Sequence, residues 1–551
     1  MYELLNRLWR RGCRNEARKF QLAVRDPQAS QAETLKRQLG VLAPSQWGSR
    51  WRLGLTTSVE DYQKQVPLTR YEDYRTAIAQ IEQTGENPLT TERVSLLEPT
   101  SGRSEETKWI PYTPSLRREF QSALAVWVHN LFTQRTAVMR GGAYWSISPP
   151  LQRSSVSRSG IPMGFDDDSA YLGFFSRQVA RRLLAVPSEV KHYTNADDWR
   201  YATVWYLLQS SRLAFISVWS PTFLLELMTF CDGASRARVV RDVYDGICRL
   251  SDGRHIRDRR NRARFSQRDR RRVVELLEGP LGLSHLSPRI WPSLSVISCW
   301  ADASSQRYVS QVRQLFPHAE ISPKGLLSTE ACISIPIMNE SGAALSLRSH
   351  FLEFVPDDGG DPILAHQLDR GKRYQVVTTT GGGLYRYQTG DWIEVTGFLD
   401  ACPLVRFMGR DSTSDLVGEK LTDQFTQYVI EKLLGEIKNV GRFALLVPNE
   451  NQKSYCLFLE LDRDTLHGWA EDAHCPLVKR LDQLLCENVY YRQARQLGQL
   501  HAATIVQEES RGCFLKRYQQ LCRRHGIRAG DVKLVALETN PERAREFLAS
   551  D

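Results

Sequence analysis

Leu384-Tyr385-Arg386-Tyr387-Gln388-Thr389-Gly390-Asp391 decides how this chain is read. It follows the run Tyr374-Gln375-Val376-Val377-Thr378-Thr379-Thr380 and the break Gly381-Gly382-Gly383. Valines and threonines fit a pleated, half-buried strand, and the glycines end it. Thr-Gly-Asp after an aromatic residue then reads as a turn that closes on a buried carboxylate. An ionised carboxylate accepts several hydrogen bonds and donates none, so one held at Asp391 can take both hydroxyls of a ribose. Taken alone, Asp391 is also an ordinary turn residue after glycine.

Two motifs stand upstream. The first is Thr100-Ser101-Gly102-Arg103-Ser104-Glu105-Glu106-Thr107-Lys108, whose hydroxyls and backbone N–H groups suit phosphate oxygens. It is not a Walker loop, because Gly-x4-Gly-Lys is absent; by itself it is a Ser/Thr-rich turn. Phe120, Leu124, Trp127, Val128 and Leu131 recur at helical spacing and predict an amphipathic helix over 115–132. Placed directly after the loop, that helix would point free N–H groups at an anion. The second motif is Lys324-Gly325-Leu326-Leu327-Ser328-Thr329-Glu330.

Residues 204–230 read as buried helix with strand. Residues 294–300 read as a strand, followed by a helix through Leu315 and a strand toward Ile321. Such a βαβ pattern predicts an α/β fold with mostly parallel β-sheets in a large N-terminal domain, residues 1–409. After Gly409-Arg410-Asp411-Ser412 the pattern changes. Two apolar runs flank Pro448-Asn449-Glu450-Asn451-Gln452-Lys453 as a hairpin. Helix is expected over 476–497, strand over 503–506, helix over 514–524 and a last strand over 531–537. These make a small α+β C-terminal domain, 410–551.

A chain of 551 residues is too long for one core. No apolar run reaches the length of a membrane span, and the first residues lack the apolar centre of a secretion signal. The 11 cysteines show no Cys-x-x-Cys and read as reduced thiols of a cytoplasmic protein. Net charge is +10, but ten arginines against Asp258 and Asp269 between Gly253 and Arg272 supply about +8 of it. The rest is nearly neutral. No zinc-ligand spacing or aromatic RNA motif accompanies the basic stretch, so it reads as a solvated face and no nucleic acid is expected.

With these residues in hand, the chain resembles the acyl-acid amido synthetases of the auxin-responsive Gretchen Hagen family, within the acyl-adenylate-forming superfamily. The resemblance covers nearly the whole chain. It begins at Val66-Pro67-Leu68-Thr69-Arg70-Tyr71-Glu72-Asp73-Tyr74 and takes in both motifs above, Ile110-Pro111-Tyr112-Thr113 and Ser349-His350-Phe351-Leu352-Glu353-Phe354. It is strongest over 374–398, and it is closer to the bacterial branch than to the plant enzymes, because Leu326 stands where those usually have Tyr. The resemblance implies an adenylate-forming architecture whose C-terminal domain is a moving lid.

The reaction it implies uses ATP and Mg²⁺ to make an acyl-AMP from a carboxylic acid, which then passes to an amine or amino acid. Thr100, Ser101, Gly102, Ser104 and Lys108 would hold the outer phosphates, and Thr329 the α-phosphate. Glu330 would bind the metal. Tyr387 would wall the nucleotide pocket, with Asp391 and Arg410 on the ribose. Lys533 would swing in with the lid and serve adenylation. Lys420 and Asp411 fall near the expected hinge. The acid pocket is expected beside the helix after the loop and around Cys299-Trp300-Ala301-Asp302, with Trp127 and Trp300 favouring a hydrophobic acid. Arg386 could simply pair with a structural carboxylate, and His350 beside Phe351 reads as a hydrogen-bonded core residue.

Glu105 and Glu106 replace a Gly and a small residue of the relatives, and the Pro-Arg that should follow Lys533 is absent. Two further readings use the same residues: transfer of the acyl group to CoA or a carrier thiol, and a nucleotide-binding protein that has lost catalysis. Thiol-dependent product and pyrophosphate release discriminate them.

Overall fold

A computed structural model describes residues 1–100, 108–146, 155–164, 182–187, 189–190, 193, 195–256, 267–410, 413–436, 443–460, 476–508, 512–527 and 529–549. The βαβ expectation is met in one sheet. Glu320–Pro323, Val296–Cys299, Leu213–Ser217 and Gly142–Trp145 lie side by side, all parallel. Every residue of the two central strands is buried. Phe215 and Val296 belong to one hydrophobic core, Ile216 and Ile297 to another. A strand covered on both faces needs apolar residues at successive positions, which is why these read as continuous apolar runs.

A second sheet has seven strands among the described residues and is antiparallel throughout. Arg373–Thr379, Tyr387–Leu399 and Cys402–Arg410 are consecutive in it. They are joined by short turns, which permit only antiparallel pairing; parallel strands need a long crossover. The turn 380–386 packs tightly. A Cβ on Gly381 would stand 2.6 Å from Ser115 Cβ, and one on Gly383, whose φ is +99°, 2.5 Å from Leu89 Cβ. The helix Pro114–Gln134 therefore lies hard against the sheet's central turn, and its Glu119 carboxylate accepts the Gly381 N–H at 2.9 Å.

The helix does not follow the Ser/Thr/Gly loop directly, contrary to expectation. The strand Trp109–Tyr112 intervenes, paired with Leu96–Pro99. The helix N-terminus is closed by Thr113 Oγ1, which accepts from Leu116 N, and by Glu92, which accepts from Ser115 N at 2.7 Å. Those N–H groups are spoken for and offer nothing to an anion.

Beyond Thr413 the chain builds cores of its own around the hairpin Phe443–Asn449 and Ser454–Glu460, with Thr504–Glu508 parallel to the second strand. The helix expected over 476–497 is two helices, Pro476–Leu485 and Val489–Gln496. Asn488 ends the first and caps the second, accepting from the N–H groups of Tyr490 and Tyr491. The last expected strand, 531–537, does not form a ladder. It leaves the 3-10 turn Ala529–Asp531 as irregular chain, with one bridge, Leu446 to Leu537. Ala536 N and Leu537 N donate instead to Asp423 Oδ1 at 2.8 and 2.9 Å, so these buried donors are satisfied without a neighbouring strand.

The C-terminal region packs on the rest through Tyr308 and Leu225, which join its core. An Arg523–Glu226 ion pair at 3.7 Å adds to the contact. No described helix is long and apolar enough to cross a membrane. The ten described cysteines are all thiols.

Candidate active site

A cleft of about 550 Å³ opens between the antiparallel sheet and the C-terminal region. Thr100, Lys108, Glu330, Tyr387, Thr389 and Arg410 line it from one side, and Tyr518, Asp531, Lys533 and Arg543 from the other. Residues far apart in sequence thus meet in one polar space.

Asp391 and Arg410 face each other across the strands Tyr387–Leu399 and Cys402–Arg410. Asp391 is buried, and Arg410 Nε donates to its Oδ1 at 2.6 Å; Nη2 is 3.4 Å from Oδ2. Arg410, not Asp391, forms the cleft wall. The neighbouring carboxylates, Asp391 foremost and then Glu330, hold the guanidinium in its charged form and raise its pKa. Tyr387 is buried beside them, and burial together with Glu330 pushes its hydroxyl well above the usual range.

Thr329 and Glu330 sit on the tip of a tight turn, not at the start of a helix. Leu327 bridges Cys332, and Ser328 N donates to Ala331 O at 2.9 Å. Tyr112 Oη donates to the Thr329 carbonyl at 2.6 Å and fixes the turn against the strand Trp109–Tyr112. Glu330 is buried yet reaches the cleft.

Thr100 N donates to Lys108 O at 2.8 Å, so the ends of the phosphate-type loop are joined at the cleft rim. Lys108 Nζ lies 5.2 Å from the centre of the Tyr71 ring. Ser101, Gly102, Ser104, Glu105, Glu106 and also Asp411 lie outside the described residues.

Lys533 stands three residues before the segment end held by Asp423. Its ammonium is 4.9 Å from the centre of the Trp300 ring, inside cation–π range. It lines both the cleft and an adjoining passage of about 60 Å³, formed with Trp300, Asp302, Lys324, Leu326 and Phe407. Leu326 lines the passage and not the cleft. Burial raises the Asp302 carboxyl to about 6. The passage meets a slot of about 80 Å³ walled by Phe120, Leu124, Trp127, Trp145 and Trp219, with Lys324 common to both.

Arg386 and His350 are structural. Arg386 is buried against Glu353, with Nη2 to Oε1 at 2.8 Å, and Nη1 donates to the Gln63 and Val66 carbonyls. His350 is buried; Nε2 accepts from Cys332 N at 3.0 Å, and Nδ1 lies 3.1 Å from Glu119 Oε2. Lys420 is exposed, with φ +46°. Sequence reading missed Arg543 and Lys324. Arg543 is buried in a pair with Glu538 at 2.9 Å. No local pattern marks Arg543, and Lys324 opens the second motif without any role read there; each reaches its place through tertiary packing.

The fold is a large α/β body, a smaller C-terminal unit and a polar cleft lined from both. The chain belongs to the GH3 family: the family's N-terminal domain matches residues 16–321 and its central domain residues 343–410. A jasmonoyl–L-amino acid synthetase, GH3.5 of Oryza sativa subsp. japonica, is 22% identical over 82% of this chain and 83% of its own length. A probable indole-3-acetic acid-amido synthetase, GH3.6 of the same plant, is 27% identical, but that match spans only 28% of this chain and 34% of the relative. Among solved structures, the acyl acid amido synthetase AtGH3.15 in complex with 2,4-DB matches with a TM-score of 0.79 at 17% identity. That match covers 98% of this chain and 96% of the other.

Proposed function

We propose that this chain uses ATP to activate a carboxylic acid as its acyl-AMP and transfers the acyl group to an amine, often an amino acid, to form an amide. The observation that carries this reading is the meeting of Thr100, Lys108, Glu330 and Arg410 with Lys533 and Arg543 around one cleft.

In the first half-reaction a carboxylate oxygen attacks the α-phosphorus and pyrophosphate leaves. Both reactants are anions, so bringing them together requires fixed positive charge. Lys533 supplies it where the cleft meets the passage: its compact ammonium can contact the incoming carboxylate and an α-phosphate oxygen. Lys108, Thr100 and the hydroxyls of Ser101 and Ser104, with Gly102, take the outer phosphates. Thr329 donates to the α-phosphate. Asp391 Oδ2, engaged by Arg410 only at 3.4 Å, keeps acceptor capacity for a ribose hydroxyl. Arg410 leans on the same ribose, and Tyr387 forms the nucleotide wall.

Mg²⁺ fits the donor set. The described residues hold no cluster of three or more metal-ligating side chains. Magnesium takes few protein ligands and many from phosphate and water, and Glu330 offers the one carboxylate such a site needs. When bound, the ion neutralises charge on the leaving pyrophosphate.

In the second half-reaction the amine nitrogen attacks the acyl carbon, AMP leaves, and the ammonium proton is lost. Residues 410–551 would act as a lid that turns on the Gly409-Arg410 corner between the two steps.

The test is acid-dependent ATP–pyrophosphate exchange with hydroxylamine trapping. Exchange followed by amide formation is the expected result. Lys533→Ala should lower exchange by about 10²-fold while ATP binding stays within a few-fold. Equal loss of both would contradict its role, and product formed only with a thiol acceptor would replace the amine.

A further inference from the structure

We propose that Lys324 recognises a second anionic or hydrogen-bond-accepting group, remote from the reacting carboxylate, on a one-ring or short-chain acid. This rests on the acid-activating reading above and names its substrate class.

Lys324 stands where two elements converge. Its backbone N–H donates to Cys299 O at 3.0 Å, continuing the parallel pairing of Val296–Cys299 with Glu320–Pro323. Its side chain turns into the slot. Nζ donates to Ser217 Oγ at 2.8 Å and lies 4.7 Å from the Trp219 ring centre and 5.4 Å from that of Trp127. Both distances are within the reach of ring quadrupoles on a cation. The remaining described residues that line the slot are aromatic, aliphatic, sulfur-bearing or small hydroxyl residues, and Lys324 is the charged one among them. An ammonium held against two indoles is poorly hydrated, and an anionic ligand group meeting it there gains more than it would at a wet surface.

The reacting carboxylate belongs elsewhere. It must meet the α-phosphate, hence the cleft, and Lys324 does not line the cleft whereas Lys533 does. Lys533 and Lys324 both line the passage that connects cleft to slot. The two lysines thus stand toward opposite ends of one path: an acid with its carboxylate at Lys533 would send its body past Leu326 and Leu327 toward Lys324. The slot, about 80 Å³, and the passage, about 60 Å³, are together close to a cavity that admits a single benzene-sized ring, about 150 Å³.

The test uses the full-length protein and matched pairs of increasing length: benzoate with terephthalate, phenylacetate with para-carboxyphenylacetate, phenylpropionate with its para-carboxy form. Affinity is measured by calorimetry with ATP absent, and ATP–pyrophosphate exchange is followed in parallel. At one spacing the para-carboxy acid should bind roughly 10- to 100-fold more tightly than its parent. Lys324→Met should erase that preference and leave the parent acid within a few-fold, while Lys324→Arg should keep part of it. No preference at any length overturns the assignment. So does equal weakening of both members of a pair by Lys324→Met in a protein with unchanged melting. A preference in binding without exchange for any acid would sustain Lys324 and sink adenylation; exchange without preference would do the reverse.

Discussion

Asp391 and Arg410 form a pair beside the cleft. Removing the carboxylate takes away the anchor that aims Arg410 and, on the proposed reading, the ribose acceptor. Asp391→Ala should therefore weaken ATP binding and lower exchange by about 10²-fold, the scale for losing one positioned electrostatic group. An unchanged affinity for ATP, read by calorimetry, would contradict the ribose assignment. Asp302 makes a different prediction. Burial raises its carboxyl from the usual carboxylate range to about 6. The native state thus binds a proton that the unfolded chain releases, and the cost of the ionised form is full above pH about 6 and gone below pH about 4. Asp302→Asn should stabilise the protein above pH 6 by about 1–3 kcal/mol and have no effect near pH 4. Denaturant curves at both pH values decide, and a gain independent of pH would refute the buried charge.

At the scale of elements, the turn 380–386 and the segment 531–537 each place a residue of the cleft, Tyr387 and Lys533, through contacts distant in sequence. Gly383 is at φ +99° with Leu89 against its Cα, so Gly383→Ala should cost about 2–4 kcal/mol and shift Tyr387. Melting and exchange activity should fall together. Asp423 accepts the N–H groups of Ala536 and Leu537, three and four residues beyond Lys533. Asp423→Ala leaves two buried donors unpaired. It should speed amide hydrogen exchange at 536 and 537 by at least tenfold and lower pyrophosphate exchange more than ATP affinity. A uniform loss of stability without local loosening would argue against a positioning role.

These two elements also mark what the sequence discloses. The strand before Gly381-Gly382-Gly383 was legible because β-branched residues and glycines carry local conformational preference. The final strand was not: 531–537 has an apolar strand-like pattern, but its donors find a carboxylate instead of a ladder, and only tertiary placement decides between them. The parallel sheet announced itself through buried apolar runs, whereas the antiparallel one is set by turn length. Among site residues, Thr329, Glu330 and Asp391 stand in motifs. Arg543 does not, and Lys324, though it opens the motif of Thr329 and Glu330, points to its slot only once the chain is packed.

On the scale of the whole molecule, the two bodies meet at Glu226. It pairs with Arg200 of its own body and lies 3.7 Å from Arg523 of the other. The two arginines repel each other, and together with burial this lowers the pKa of Arg200. Glu226→Gln would leave them facing with Asp197 as the carboxylate still paired to Arg200. The variant should populate more open forms, seen as a larger radius of gyration in scattering, and should slow amide formation at constant ATP affinity. An unchanged radius would show that apolar contacts of Leu225 and Tyr308 alone hold the bodies together.

The helix that carries Glu226, Pro221–Met228, begins directly after Ser217, Val218 and Trp219, which line the slot. One short stretch of chain thus joins the wall of the slot to the domain contact. Thermodynamic linkage makes any such coupling mutual. If seating the acid favours the closed arrangement by some factor, closure must raise affinity for the acid by that same factor. The choice of acid and the timing of domain movement would then be one property of the molecule, and substitutions in the slot would be felt as changes in rate as well as in binding.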